Sequence, residues 1–86
     1  MDHYAQVEQT VKEILAKQLK IDSANIKPEG LLAEDLRMDS FGALETAFEL
    51  EDKFAIQIPN ETLYNVKTVK DIVDYIAGQT EDKPSA

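Results

Sequence analysis

The sequence predicts an all-α domain: a small four-helix bundle of three main helices and one short third helix, with a long loop between helices one and two. Two observations carry this reading. Three segments, 4–19, 40–54 and 69–76, place apolar residues at helical spacing. The single stretch with strand-like alternation, 55–59, is short and has no second segment to pair with.

The first helix rests on Tyr4, Val7, Val11, Ile14, Leu15 and Leu19, which share one face, with Lys12, Lys17 and Lys20 toward its end, where cations suit the helix dipole. His3, the only histidine, sits at the start and is assigned no role. Ile21 to Asp39 is then a long connection. Asp22-Ser23-Ala24-Asn25 and Lys27-Pro28-Glu29-Gly30 are turn chemistry, and Ile26, Leu31, Leu32 and Leu36 are expected to pin the loop to the core.

The second helix is predicted over Ser40–Phe54, because Asp39 and Ser40 are both good N-cap residues. At about 100° per residue it carries two apolar stripes. Ala43, Ala47, Leu50 and Phe54 form the expected core side; Phe41, Leu44 and Phe48 fall roughly a third of a turn away. Glu45, Glu49 and Asp52 border the second stripe, and Glu51 lies between the two. Periodicity alone favours a single wide buried face. The acidic border favours a docking surface for a basic partner instead.

Ala55-Ile56-Gln57-Ile58-Pro59 reads as an extended linker, followed by a short helical turn from Asn60 to Tyr64 that Pro59 prevents from extending upstream. Thr68 caps the last helix, with Asp71 in its first turn and Val69, Ile72, Val73 and Ile76 as its apolar stripe. Gly78 is the expected stop. The domain is therefore drawn over 1–78, and 79–86 is expected to be a disordered polar tail.

The 86 residues suit one domain, and 43% apolar residues mark it as globular. Seventeen acids against nine bases give a net charge of −8. That balance argues against nucleic acid and anionic membranes as partners. Between Glu29 and Asp52 stand eight acids and one base, Arg37, so −7 of the total lies in this stretch. The bland account of such a run is a solvated helix face. There is no cysteine, hence no disulfide, thiolate chemistry or thiolate zinc site. The start lacks a basic segment followed by an apolar run, so no signal peptide is expected, and nothing approaches the ~20 apolar residues of a membrane span. A cytoplasmic monomer is the expectation.

Ser40 is the candidate functional residue. At a helix start, free N–H groups and the positive dipole end favour a phosphate. Its ordinary role there would be a cap. It is no hydrolase nucleophile, because Met38-Asp39-Ser40-Phe41-Gly42 lacks the first glycine of G-x-S-x-G. Nor is Asp35–Thr46 a calcium loop, since Ser40 and Thr46 stand where Gly and Glu are required. No metal site is expected.

Asp39-Ser40-Phe41, preceded by Glu34-Asp35-Leu36 and followed by the Glu-rich helix ending in Phe54, resembles the acyl carrier proteins. The resemblance continues through Ile58-Pro59, Thr68-Val69 and Ile72-Val73-Asp74-Tyr75-Ile76 and covers nearly the whole chain. It implies a 4′-phosphopantetheine arm, taken from coenzyme A and attached at Ser40, which carries acyl groups as thioesters for fatty acid, lipid or polyketide synthesis. It implies that Asp35 and Asp39 help place the serine toward a phosphopantetheinyl transferase. Phe41, Leu44, Glu45, Phe48, Glu49, Glu51 and Asp52 would dock acyl-transferring or chain-extending enzymes with basic patches. Tyr64 and Val66 match a secondary contact region. On this reading the chain is a substrate of enzymes and not an enzyme. It departs from the housekeeping members at Arg37-Met38, where Gly-Ala is common, and at Phe41, Gly42 and Thr46, the last usually a core aliphatic. Those departures point to a specialised acyl pathway. An aminoacyl or peptidyl carrier, or an unmodified adaptor that keeps the fold, are the alternatives.

Overall fold

The computed structural model describes residues 3–80. Four helices follow in order: α1 (His3–Leu19), α2 (Ser40–Phe54), α3 (Asn60–Asn65) and α4 (Val69–Thr80). A single 3-10 turn, Ser23–Asn25, breaks the long loop after α1. No strand occurs among the described residues; the linker 55–59 forms no regular element, but it is not extended throughout, since Ala55 closes α2 in the left-handed conformation (φ 56°, ψ 46°) before the chain reaches an extended Pro59.

The core follows the apolar stripes. Val7, Val11, Ile14 and Leu15 of α1 meet Ala47 and Leu50 of α2 and Val69, Ile72, Val73, Ile76 and Ala77 of α4. Each large aliphatic side chain removed from water contributes roughly 1.5–3 kcal/mol before the entropy of ordering is subtracted. Two residues outside the helices complete this core: Ile26 from the long loop and Ile58 from the linker. Tyr4, Phe54, Leu32, Leu36 and Leu63 pack around it half-buried. The short α3 buries no residue fully.

The loop is held by backbone pairing as well as by Ile26. An isolated antiparallel bridge joins Leu31 to Thr68. Leu32 N–H donates to the Lys67 carbonyl (2.9 Å), while Val69 and Lys70 N–H donate back to the Gly30 and Pro28 carbonyls (3.1 and 2.8 Å). Those two donors belong to the first turn of α4, which has no partners of its own for them. The loop thus caps α4 while α4 fixes the loop.

Thr68 caps α4 as expected, accepting the Asp71 N–H at 3.1 Å. Asp71 Oδ2 accepts the Lys67 and Thr68 N–H groups in return (3.0 and 3.1 Å). This is a reciprocal capping box. The backbone donors Lys67 and Thr68 hold the Asp71 carboxyl below its ordinary range. Across the bundle, Tyr4 hydroxyl donates to Asp74 at 2.6 Å and Lys70 Nζ to the same carboxylate at 2.9 Å. The hydrogen bond to Asp74 raises the Tyr4 phenol and the Lys70 ammonium, and lowers Asp74 itself.

Two expectations at the ends of the chain need correction. Gly78 does not stop α4: its φ is not positive, so it continues the helix, which runs to Thr80. There the Thr80 hydroxyl donates to the Ile76 carbonyl at 2.8 Å. His3, assigned no role, lies with Nε2 2.7 Å from Thr80 Oγ1 and ties the start of α1 to the end of α4. Residues 81–86 of the expected tail lie outside the described residues.

Candidate functional site

Asp39, not Ser40, is the N-cap of α2. Its backbone is extended (φ −94°, ψ −178°) and its Oδ1 accepts the Gly42 N–H at 2.7 Å. Ser40 is the first helical residue, exposed to solvent. Gly42 aids this arrangement, since a Cβ there would stand only 3.1 Å from the capping oxygen. With the capping work done by its neighbour, Ser40 is not needed as the cap, and it stands exposed at the start of the helix.

The chain reaches Ser40 through a compact turn. Leu31 N–H donates to Asp35 Oδ2 (2.8 Å), Leu36 N–H to the Leu31 carbonyl (3.1 Å) and Met38 N–H to the Leu32 carbonyl (2.9 Å). Asp35 therefore closes the turn that precedes the serine. Arg37 adopts φ 60°, the left-handed region, to complete the reversal into α2. A side chain with a Cβ is strained there by about 1–2 kcal/mol.

Beneath Ser40 opens a cavity of about 500 Å³, within the size range of small-molecule sites. Its mouth carries Glu34, Asp39, Ser40, Asn60, Tyr64 and Lys67, all exposed; its floor is formed by the buried Leu15, Thr46, Ala47, Leu50 and Ile72. Val66, half-buried against the core, lines the wall between α3 and α4. Tyr64 stands in solvent at the rim, 79% exposed.

The two apolar stripes of α2 have separate fates. Ala47 and Leu50 enter the core, with Ala43 and Phe54 half-buried beside them. Phe41 and Phe48 are 68% and 63% exposed, and Leu44 is exposed as well. A single wide buried face, favoured by periodicity alone, is not what forms. The acids also separate. Glu51 Oε2 accepts the N–H of buried Ile58 at 2.7 Å, so it anchors the linker. Glu45, Glu49 and Asp52 have no hydrogen-bond or ion-pair partner among the described residues. With Phe48 and Gln18 they line one shallow surface depression.

These features gain a family from three comparisons. The model of a family described as "Phosphopantetheine attachment site" matches residues 9–76. An acyl carrier protein of Helicobacter hepaticus is 44% identical over 68 residues, 79% of this chain and 90% of that one. An acyl carrier protein of Thermosynechococcus vestitus is 39% identical over 72 residues, covering 84% and 89%. Among solved structures, a putative acyl carrier protein from Mycobacterium tuberculosis superposes with a TM-score of 0.80 at 30% identity, over 85% of this chain and 97% of that one. This chain belongs to the acyl carrier proteins.

It is an acyl carrier, and its prosthetic group is 4′-phosphopantetheine. The carrier's own residues fit that group: a free, exposed hydroxyl at a helix start, where a phosphodiester would meet unpaired N–H groups, lies at the mouth of a cavity with an apolar floor. When bound, the group supplies a thiol on a long flexible arm. Among the described residues no group of three or more His, Asp or Glu side chains could hold a metal ion, and no helix is long and apolar enough to cross a membrane.

Sequence reasoning singled out Ser40 and the stripe Phe41, Leu44 and Phe48. It missed the division of labour among the acids, because a carboxylate that holds a loop and one that faces solvent look alike in sequence. It marked Thr46 as a departure at a position that is usually a core aliphatic, and the structure places this residue, buried, in the cavity floor.

Proposed function

We propose that Ser40 is the attachment point and that the carrier works with separate enzymes of a specialised acyl pathway. Ser40 Oγ would form the new phosphodiester with the phosphopantetheine half of coenzyme A. The pyrophosphate bond breaks, adenosine 3′,5′-bisphosphate leaves, and the hydroxyl proton passes to a base of the phosphopantetheinyl transferase. The observation that carries this reading is the exposed Ser40 hydroxyl, relieved of capping by Asp39, above the cavity.

Asp39 and Asp35 act on the serine indirectly, one by starting the helix and one by closing the preceding turn. Phe41, Leu44 and Phe48 would supply the apolar contact to partner enzymes, and Glu45, Glu49 and Asp52 would meet their Arg and Lys side chains. The tether raises the cargo's effective concentration at each enzyme that docks. Exposed Tyr64 is suited to a secondary contact, while half-buried Val66 contributes chiefly to the cavity wall. The carrier itself performs no catalysis on this reading and acts as a monomer in the cytoplasm. Arg37-Met38, Phe41 and Thr46 favour a pathway other than housekeeping fatty acid synthesis.

Incubation of the purified chain with coenzyme A and a broad-specificity phosphopantetheinyl transferase tests the site. Intact mass and peptide mass should place one phosphopantetheine on the Ser40 peptide. Ser40→Ala should fold, with an unchanged helical spectrum, and gain no mass. An adduct on the Ser40→Ala chain would refute the assignment.

A further inference from the structure

Thr46 is the one buried polar side chain among the described residues, 5% exposed, and its Oγ1 is buried with no hydrogen-bond partner. A threonine inside a helix ordinarily satisfies its hydroxyl on the carbonyl one turn back. Here that bond is not made. A buried neutral hydroxyl left unpaired is unfavourable, and native structures rarely keep one without a use. The residue also lines the cavity beneath Ser40. Its neighbours in that floor, Leu15, Ala47, Leu50 and Ile72, offer no side-chain polar group, and the polar lining residues are exposed ones at the mouth. A trapped water needs two to four polar partners, and no side chain of this floor besides Thr46 supplies one.

We infer that the cavity is shaped for an acyl chain bearing an oxygen along its hydrocarbon, a hydroxyl or keto group, and that Thr46 Oγ1 is the group that recognises it. The inference rests on the reading of Ser40 as the attachment point. A saturated chain entering this floor leaves the Thr46 hydroxyl unpaired and shields it further from water. A chain with an oxygen at the right depth pairs with it. The threonine can donate to a keto or hydroxyl oxygen and can accept from a hydroxyl, so both oxidation levels are suitable. Sites that hydrogen-bond a cargo oxygen discriminate against the analogue that lacks it, because the protein's own polar group is then stranded. Thr46 selects cargo on this account; it touches no reacting atom.

The test uses the full chain and its Thr46→Val and Thr46→Ser variants. Valine keeps the shape and removes the hydroxyl; serine keeps the hydroxyl. A broad-specificity transferase loads each from the coenzyme A derivatives of octanoate and of octanoate hydroxylated at carbon 3, 5 or 7. Peptide mass verifies loading at Ser40, and the readouts are Tm and amide hydrogen exchange of α2. Wild type and Thr46→Ser should be stabilised more by at least one hydroxylated chain than by octanoate, with exchange of α2 slowed about tenfold further, the scale of one recovered hydrogen bond. In Thr46→Val that preference should vanish or reverse. The unloaded Thr46→Val chain should melt above wild type, since it no longer strands a hydroxyl. An equal gap between wild type and Thr46→Val for all four cargoes overturns the inference while leaving Ser40 intact. Failure of every chain to load at Ser40 overturns both readings together.

Discussion

Phe48→Ala separates an exposed docking residue from a core residue by the direction of two measurements. Phe48 is 63% exposed and lies two turns along α2 from Ser40, about 12 Å by helix rise, so it is clear of the reacting hydroxyl. An aromatic side chain offers on the order of 200 Å². About 130 Å² of it is therefore available to a partner, worth up to about 3 kcal/mol at ~25 cal/mol per Å². Partial contact and the ordering that docking requires reduce this to about half, or roughly a tenfold loss. The assay is phosphopantetheinyl transfer at limiting carrier concentration, with Tm in parallel. KM should rise about tenfold with little change in kcat. Stability should stay within about 0.5 kcal/mol, because the truncated surface is already in water and alanine is the better helix former. A core phenylalanine would instead cost about 3–5 kcal/mol. Unchanged KM together with a fall in stability of that size would refute the docking surface and restore the single wide buried face.

Charge reversal of Glu45→Lys with Glu49→Lys should slow the same transfer, and raised salt should slow the wild type similarly, since exposed charges are screened within about 8–10 Å. The reversed chain should not lose stability, because two unpaired acids have left a crowded acidic helix; unaltered rates in both experiments would exclude an electrostatic dock. Asp71→Asn should cost about 1 kcal/mol at neutral pH through loss of the α4 capping box. Because the Asp71 carboxyl sits below its ordinary value in the folded chain, its contribution is complete above the unfolded carboxylate pKa and fades as pH falls through the lowered folded one. The wild-type advantage over Asp71→Asn, followed by urea unfolding, should therefore shrink toward acid, and an advantage that grew on acidification would contradict the bonds. Ala55, at φ 56°, holds a left-handed C-cap that costs about 1–2 kcal/mol, of which glycine's freer unfolded chain returns about 0.4–1. Ala55→Gly should thus gain about 0.5–1 kcal/mol, and Gly78→Ala should gain a similar amount, because a Cβ there meets nothing within 4 Å on a helical backbone. Each should raise Tm by several degrees, and a fall in either would show the backbone geometry to be otherwise.

The helices were legible because their signals are local. Caps and apolar spacing placed the start of α2 at Ser40 and its end at Phe54, both as observed. The end of α4 was misplaced because glycine permits a left-handed stop without requiring one, and Thr80 supplies its own bond to the Ile76 carbonyl. The bridge from Leu31 to Thr68 joins segments far apart in the chain, and no local pattern announces it. The fate of the two α2 stripes depended on which neighbours α1 and α4 would cover. Asp39 and Ser40 were equal candidates for the cap until backbone geometry gave the role to Asp39. Membership of the family could be read from the Asp39-Ser40-Phe41 stretch and its setting. The stranded hydroxyl of Thr46 could not, since an unmet hydrogen bond exists only once every neighbour has a place.

The acids around Ser40 can be sorted by what the fold asks of them. Asp35, Asp39 and Glu51 each accept a backbone N–H, at 2.8, 2.7 and 2.7 Å, and each holds a segment that positions the site or the linker. Their removal should be felt in the fold first. Glu45, Glu49 and Asp52 hold nothing among the described residues. Asp52 also stands in the last turn of α2, where the dipole disfavours negative charge, and Glu45 and Glu49 are one turn apart with like sign. Those two terms together cost the helix on the order of 1 kcal/mol. A small domain whose whole stability is modest has little reason to keep such a burden for its own sake. The burden is removed when a basic surface covers the helix, and the same surface would find Phe48 and Leu44 already bare between the acids. The part of the acidic cluster that the fold does not use is thus the part that a partner can.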